Sequence, residues 1–460
     1  MNDLKASTTW NKYKKGAGWA AFGRLSSVAL STLLTFLLAR VVTKAELGVY
    51  FLIVSVVTVA ATLGMFGMQN SIVRLLSESI GKDTPRRTTS IVRRVLATVL
   101  ISALFMALLL NFGGASVIAR VVFKSALFDE LSSWVALFCF SAILSQIVSQ
   151  IFRGFYDIRN AVIFGGIISN GSLILLCVFG LLFNFKIDLR FALSTLILGM
   201  LISVLVGTGI LWKRTARLSG GGELLTQRQL WNVSLPLFIT SITFLTLKQS
   251  DLWLVGAFRL ENEVAIYGAG LRLVLLISIP LNIVNSFIPP IIGELYAKDQ
   301  REKLQELMRI ASTMAALTAF LISIPVLLFP RWVLGIAFGP EFQVREAVLV
   351  VTFLCVGQLV GIYFGSCGQT LIMTGHERSM MIITLLTGLS TLMAGYILVQ
   401  RLGTIGVAAA YSLGLMFQNF FMWRTAKSRT GLSTNASFRM TPIVVGMAQR
   451  TVNKYLGINK

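Results

Sequence analysis

Residues 247–273 read LKQSDLWLVGAFRLENEVAIYGAGLRL, two apolar runs separated by a charged turn from Arg259 to Glu263. Lys248, Asp251 and Arg272 lie inside those runs, and a fourth charge, Arg24, lies inside an apolar run near the N-terminus. A charge at membrane depth costs a few kcal/mol unless it faces a partner or a water-filled cavity, so such residues mark a transport path. Three of the four are cationic. The expected interior is therefore positive and suits a cargo that carries an anion.

The composition agrees, with 55% hydrophobic and 13% charged residues and a mean hydropathy of +0.78. A soluble globular domain is excluded by such values. Apolar stretches of the roughly 20 residues that cross about 30 Å of hydrocarbon as helix recur at 16–39, 47–73, 91–112, 134–152, 161–183 and 191–212. They recur again at 233–257, 264–292, 310–330, 347–373, 380–399 and 404–423. The fold class expected is an all-α integral membrane protein of about 12 transmembrane helices.

The segment beginning Ala45-Glu46-Leu47-Gly48-Val49-Tyr50 has a counterpart in Glu263-Val264-Ala265-Ile266-Tyr267, with Tyr50 and Tyr267 217 residues apart. Spans 7 and 8 thus repeat spans 1 and 2, and the two long second spans end near Glu78 and Glu294. Six spans is an even number, so the halves enter the membrane in the same direction as two parallel lobes, with a site expected at their interface. The organisation expected is an N-terminus at 1–15, an N-lobe at 16–212, a linker at 213–231 carrying Gly220-Gly221-Gly222, a C-lobe at 232–423 and a basic tail at 424–460. Apolar residues at helical spacing from Val444 to Leu456 predict an interfacial helix within that tail.

Basic loops are retained on the cytoplasmic side. With the N-terminus inside, 28 of the 41 basic residues fall in inside segments, 10 in outside segments and three within spans. Both termini are therefore expected in the cytoplasm, in a cell's inner membrane, and the net charge of +22 reads as topology and attraction to anionic lipids. Those cations are dispersed over seven segments instead of forming one basic face, which excludes nucleic acid as a partner. Cys139, Cys177, Cys355 and Cys367 fall within spans and lack metal or disulfide spacing, so no metal or other cofactor is expected. His376, the only histidine, reads as a solvated loop residue.

The chain resembles the polysaccharide-biosynthesis flippases of the multidrug/oligosaccharidyl-lipid/polysaccharide superfamily. The resemblance rests on Leu37-Leu38-Ala39-Arg40 followed by Glu46-Leu47-Gly48-Val49-Tyr50, and on Asp251-Leu252-Trp253-Leu254-Val255-Gly256 followed by Ala265-Ile266-Tyr267. It implies a transporter, not an enzyme, that flips a polyprenyl-diphosphate-linked oligosaccharide from the inner to the outer leaflet by alternating access. The partners it implies are that substrate, membrane lipids and other polysaccharide-assembly proteins. The cycle is expected to draw on a proton, a sodium ion or the membrane potential, which contributes about 2.3 kcal/mol per charge per 100 mV.

Arg24, Arg272 and Lys248 are the candidate substrate-binding cations, with the diphosphate as their anion. Asp251 is the candidate ion-pair or coupling residue, since its protonation would release Arg272. The same cluster reads equally as a structural salt bridge, with one carboxylate shared between two cations. Gln146 with Gln150 and Asn282 with Asn285 each share a helix face and are candidate sugar contacts, with interhelical packing as the alternative. Gly357, Gly361 and Gly365 form a small-residue stripe that predicts close helix packing.

Two rivals are weaker. A cation-coupled multidrug exporter would favour carboxylates in its interior, whereas the spans here hold Asp251 alone. A membrane enzyme acting on lipid-linked glycans needs a catalytic constellation near an outer loop, and those loops have no histidine.

Overall fold

A computed structural model describes residues 28–82, 84–183, 187–216 and 224–437, together with the isolated residues 26 and 442. Arg24, the Gly220-Gly221-Gly222 run and the expected tail helix lie outside the described residues. Among the described residues there is no strand, and nine helices are long and apolar enough to cross a membrane. The chain is a multi-pass, all-helical membrane protein.

The helices are α1 (Val28–Val41), α2 (Lys44–Gly64), α3 (Met68–Gly81), α4 (Pro85–Leu109), α5 (Ser132–Gly154), α6 (Ile158–Leu182) and α7 (Leu189–Ala216). Then follow α8 (Gln227–Phe258), α9 (Glu261–Ala297), α10 (Arg301–Leu328), α11 (Pro330–Phe338), α12 (Arg345–Tyr363), α13 (Cys367–Met373) and α14 (Glu377–Thr430). The helical path of α14 breaks at Gly403 (φ 63°, ψ −143°), a backbone that glycine adopts without a Cβ penalty. With α14 divided there, described helices fall in each of the twelve expected spans, the first of which is described from Val28 onward. The chain forms two compact units, Met1–Gly268 and Ala269–Lys460.

Two spans expected to be continuous are interrupted. In the second, α2 stops at Gly64 and α3 restarts at Met68, with Phe66 at φ 44° and Gly67 at φ 75° between them. The interruption is held by packing on α8. A Cβ on Gly67 would strike the Ser234 carbonyl, the Ser71 and Ser234 hydroxyls pair at 2.7 Å, and the Phe66 ring lies 5.3 Å from Phe238 and 5.7 Å from Trp231. Hydropathy does not register such a break, because Met65, Phe66 and Met68 stay as apolar as their neighbours.

In the tenth span α12 ends at Tyr363, Gly365 takes φ 69°, and α13 follows. Residues 431–437 run as a strap against this break. Ala436 donates its N–H to the Tyr363 carbonyl at 2.8 Å, Thr434 its hydroxyl to the Phe364 carbonyl at 2.7 Å, and Ser437 its N–H to Thr313 of α10 at 3.0 Å. Thr434 is fully buried. A buried polar segment is stable only when its groups are bonded in this way, and within the basic tail expected at 424–460 these residues are packed against the membrane helices.

The small-residue stripe of α12 packs as expected: a Cβ on Gly357 would lie 2.7 Å from Ser412 of α14, whose hydroxyl donates to the Phe353 carbonyl at 2.8 Å. All four cysteines are buried thiols without a disulfide.

Candidate functional site

The repeated motif is first a helix-start device. Thr43 caps α2 through a reciprocal box: the Glu46 N–H donates to Thr43 Oγ1 at 3.3 Å, and Glu46 Oε2 accepts the Thr43 N–H at 2.7 Å. That arrangement satisfies two orphan donors of the first turn. Past the cap the two copies of the motif pack together. A Cβ on Gly48 would strike the Glu261 carbonyl, and one on Gly268 would strike the Phe51 ring. Gly48 in the first copy and Gly268 just after the second thus let α2 and the start of α9 approach closely.

The apolar runs around residue 259 fold as the antiparallel hairpin of α8 and α9. Asp251 on α8 is 6% exposed, and its carboxylate is bonded on both oxygens: Oδ1 accepts the Leu252 N–H at 2.8 Å and Oδ2 accepts the Tyr267 hydroxyl at 2.9 Å. Tyr267 itself is fully buried. Two charge-assisted bonds offset part of the cost of burying a carboxylate. Two residues along, Trp253 donates its indole N–H to Ser55 of α2 at 2.5 Å and meets Phe123 edge-on.

The other expected site residues lie on several helices. Lys248 lies on α8 with its side chain outside the described residues, and Arg272 stands half-buried on α9. Gln146 and Gln150 are half-buried on α5, on either side of the fully buried Ile147. Asn282 donates to the Ser278 hydroxyl one turn earlier at 3.1 Å, while Asn285 accepts the Ser366 hydroxyl at 2.7 Å beside the break after α12. Each asparagine thus has one hydrogen-bond partner within the protein.

Sequence reasoning missed Tyr267 and Ser55 as partners. A signal for Tyr267 was available, because it stands eight residues after Arg259 and Asp251 stands eight before it, opposite each other in any hairpin turning there. Ser55 carries no comparable signal.

Comparison with known proteins places this arrangement. The family model described as polysaccharide biosynthesis protein matches residues 13–296, and the model described as MatE matches residues 236–397. The probable low-salt glycan biosynthesis flippase Agl15 of Haloferax volcanii is 21% identical over 425 residues, covering 89% of this chain and 84% of its own. Among solved structures, an inward-facing multidrug resistance MATE family transporter of the MOP superfamily superposes with a TM-score of 0.69 at 17% identity, over 89% of this chain and 98% of its own. The lipid II flippase MurJ in an inward closed conformation gives 0.65 at 14% identity, over 88% and 87%. The fold is that of this superfamily.

Proposed function

Because the chain belongs to the polysaccharide biosynthesis protein family, we propose that it flips a polyprenyl-diphosphate-linked oligosaccharide from the inner to the outer leaflet for surface polysaccharide assembly. The observation that carries this reading is the extent of the family match: residues 13–296 include Arg24, Lys248, Asp251 and Arg272, the four charges set within apolar spans. A diphosphate recruits cations, and in a water-poor interior Arg and Lys hold it through charge-assisted bonds. The lipid tail stays in the bilayer while the polar group crosses.

In this reading the two six-span lobes of the repeated motif alternate access to a cationic interior. Both termini face the cytoplasm and the protein sits in the inner membrane. Outward movement of the diphosphate charge is assisted by an interior-negative potential, or is coupled to a proton or sodium ion, with Asp251 as the titrating group. Gln146, Gln150, Asn282 and Asn285 are the proposed sugar contacts. Other polysaccharide-assembly proteins supply the substrate and take the product.

The likeness of residues 236–397 to MatE supports a second reading, a cation-coupled multidrug exporter. A strain lacking the protein separates the two. Loss of surface polymer with accumulation of its lipid-linked precursor on the cytoplasmic leaflet supports the flippase, and the mass of the precursor identifies the sugar. Unchanged glycans together with greater sensitivity to cationic drugs would transfer the assignment to the exporters.

A further inference from the structure

Away from the buried charges, a cavity of about 420 Å³ opens where α8 turns into α9. This lies within the range of small-molecule pockets, roughly 300–1,000 Å³. Its floor is apolar, formed by Leu52, Phe123, Val264 and Gly256, and the last has no space for a side chain because a Cβ would lie 2.5 Å from Leu52. Its mouth carries Lys124, Arg259, Glu261 and Glu263.

The charges are not equivalent. Glu261 accepts the Ser125 hydroxyl at 2.7 Å, and Arg259 and Glu263 face each other at 3.8 Å. Lys124 is exposed at the mouth, held by a left-handed backbone (φ 50°) that ends the helical stretch Ile118–Phe123, and has no ion pair among the described residues. It is the cation at the mouth with no carboxylate in contact among the described residues, while Glu261 keeps its charge with one oxygen turned to Ser125. Depth fixes what that ligand is. The long span Pro85–Phe123 and α8 end at this cavity and α9 begins there, which puts its mouth at headgroup level. Phe258 and Leu260 on its rim are 45% and 71% exposed, open toward acyl chains.

We propose that this cavity binds the phosphate of a membrane lipid, with the phosphate on Lys124, Arg259 beside it, and the first carbons of the chain against Phe258 and Leu260. The topology proposed above places it at the outer leaflet. Two lipids share this chemistry, a bulk anionic phospholipid and a polyprenyl phosphate carrier. The proposal stands apart from the glycan reading: a deletion strain with normal glycans would sink that reading and leave this site intact.

Native mass spectrometry of the full-length protein in detergent, titrated with dioleoyl phosphatidylglycerol, tests it. The wild type is expected to retain one phosphatidylglycerol in preference to phosphatidylcholine. Lys124→Gln is expected to weaken that binding about tenfold, the effect of losing one charge-assisted contact, while Lys124→Arg retains it. Displacement of phosphatidylglycerol by undecaprenyl phosphate would assign the site to the carrier lipid, and failure to displace it to bulk phospholipid. Equal binding of phosphatidylcholine, or unchanged binding in both Lys124→Gln and Lys124→Glu with the fold intact by thermal unfolding, would overturn the proposal.

Discussion

At the scale of single residues, Asp251 is the clearest case of a charge whose setting can be tested. Its carboxylate holds the Tyr267 hydroxyl within the α8–α9 hairpin. Tyr267→Phe removes the donor and leaves a buried carboxylate with one bond fewer, which costs about 1–3 kcal/mol. The expected outcome is a lower unfolding temperature in detergent, and an unchanged one would remove the bond from the account. Arg24→Ala and Arg272→Ala are expected to abolish polymer export while leaving the protein in the membrane, measured as surface polysaccharide against protein level. These charges were legible in the sequence because an ionised group in an apolar run is conspicuous. The hydroxyl partner of Trp253 was not, since Ser55 looks the same in a span whether it bonds Trp253 or its own helix.

At the scale of elements, the start of α2 was legible and the interruptions were not. The Thr43–Glu46 box follows a local rule of spacing, whereas the break at Gly67 exists because Ser234 and Phe238, over 160 residues away, pack against it. Gly67→Ala would meet both a left-handed backbone and the Ser234 carbonyl. It is expected to destabilise the fold by about 1–3 kcal/mol, read by thermal unfolding in detergent. The strap at 431–437 was illegible for the same reason, because its polar residues find their partners on α10 and beside Gly365 and not in water. Thr434→Val keeps the volume and removes the bond to Phe364. It is expected to cost about 1–2 kcal/mol and to increase protease cleavage after Thr430.

The repeat's two acidic ends also prove alike, since Glu78 pairs with Lys82 at 2.7 Å and Glu294 with Lys298 at 2.5 Å. The hydrogen bond from each lysine holds its carboxyl below the ordinary value of 4.5. A carboxyl depressed in the folded state adds stability above its unfolded value and loses it as pH falls through the folded one. Both pairs are exposed, and exposed pairs contribute little. Lys82→Ala and Lys298→Ala are therefore expected to leave the acid unfolding profile nearly unchanged.

At the scale of the whole molecule, the succession of spans could be read from hydropathy, because a bilayer imposes a single length on every crossing, and the superfamily fold from the family resemblance. The substrate could not be read in this way, since cations in apolar spans specify an anion and not a sugar. The central claim is that those cations carry a lipid diphosphate across. Its most direct test reconstitutes the purified protein into liposomes holding a fluorescent polyprenyl-diphosphate oligosaccharide, and measures how fast the sugar becomes accessible to an added, membrane-impermeant glycosidase. The account predicts faster exposure than in protein-free liposomes for the wild type and the protein-free rate for Arg24→Ala/Arg272→Ala; a wild-type rate equal to that of protein-free liposomes, in vesicles that still move a cationic dye, would contradict it.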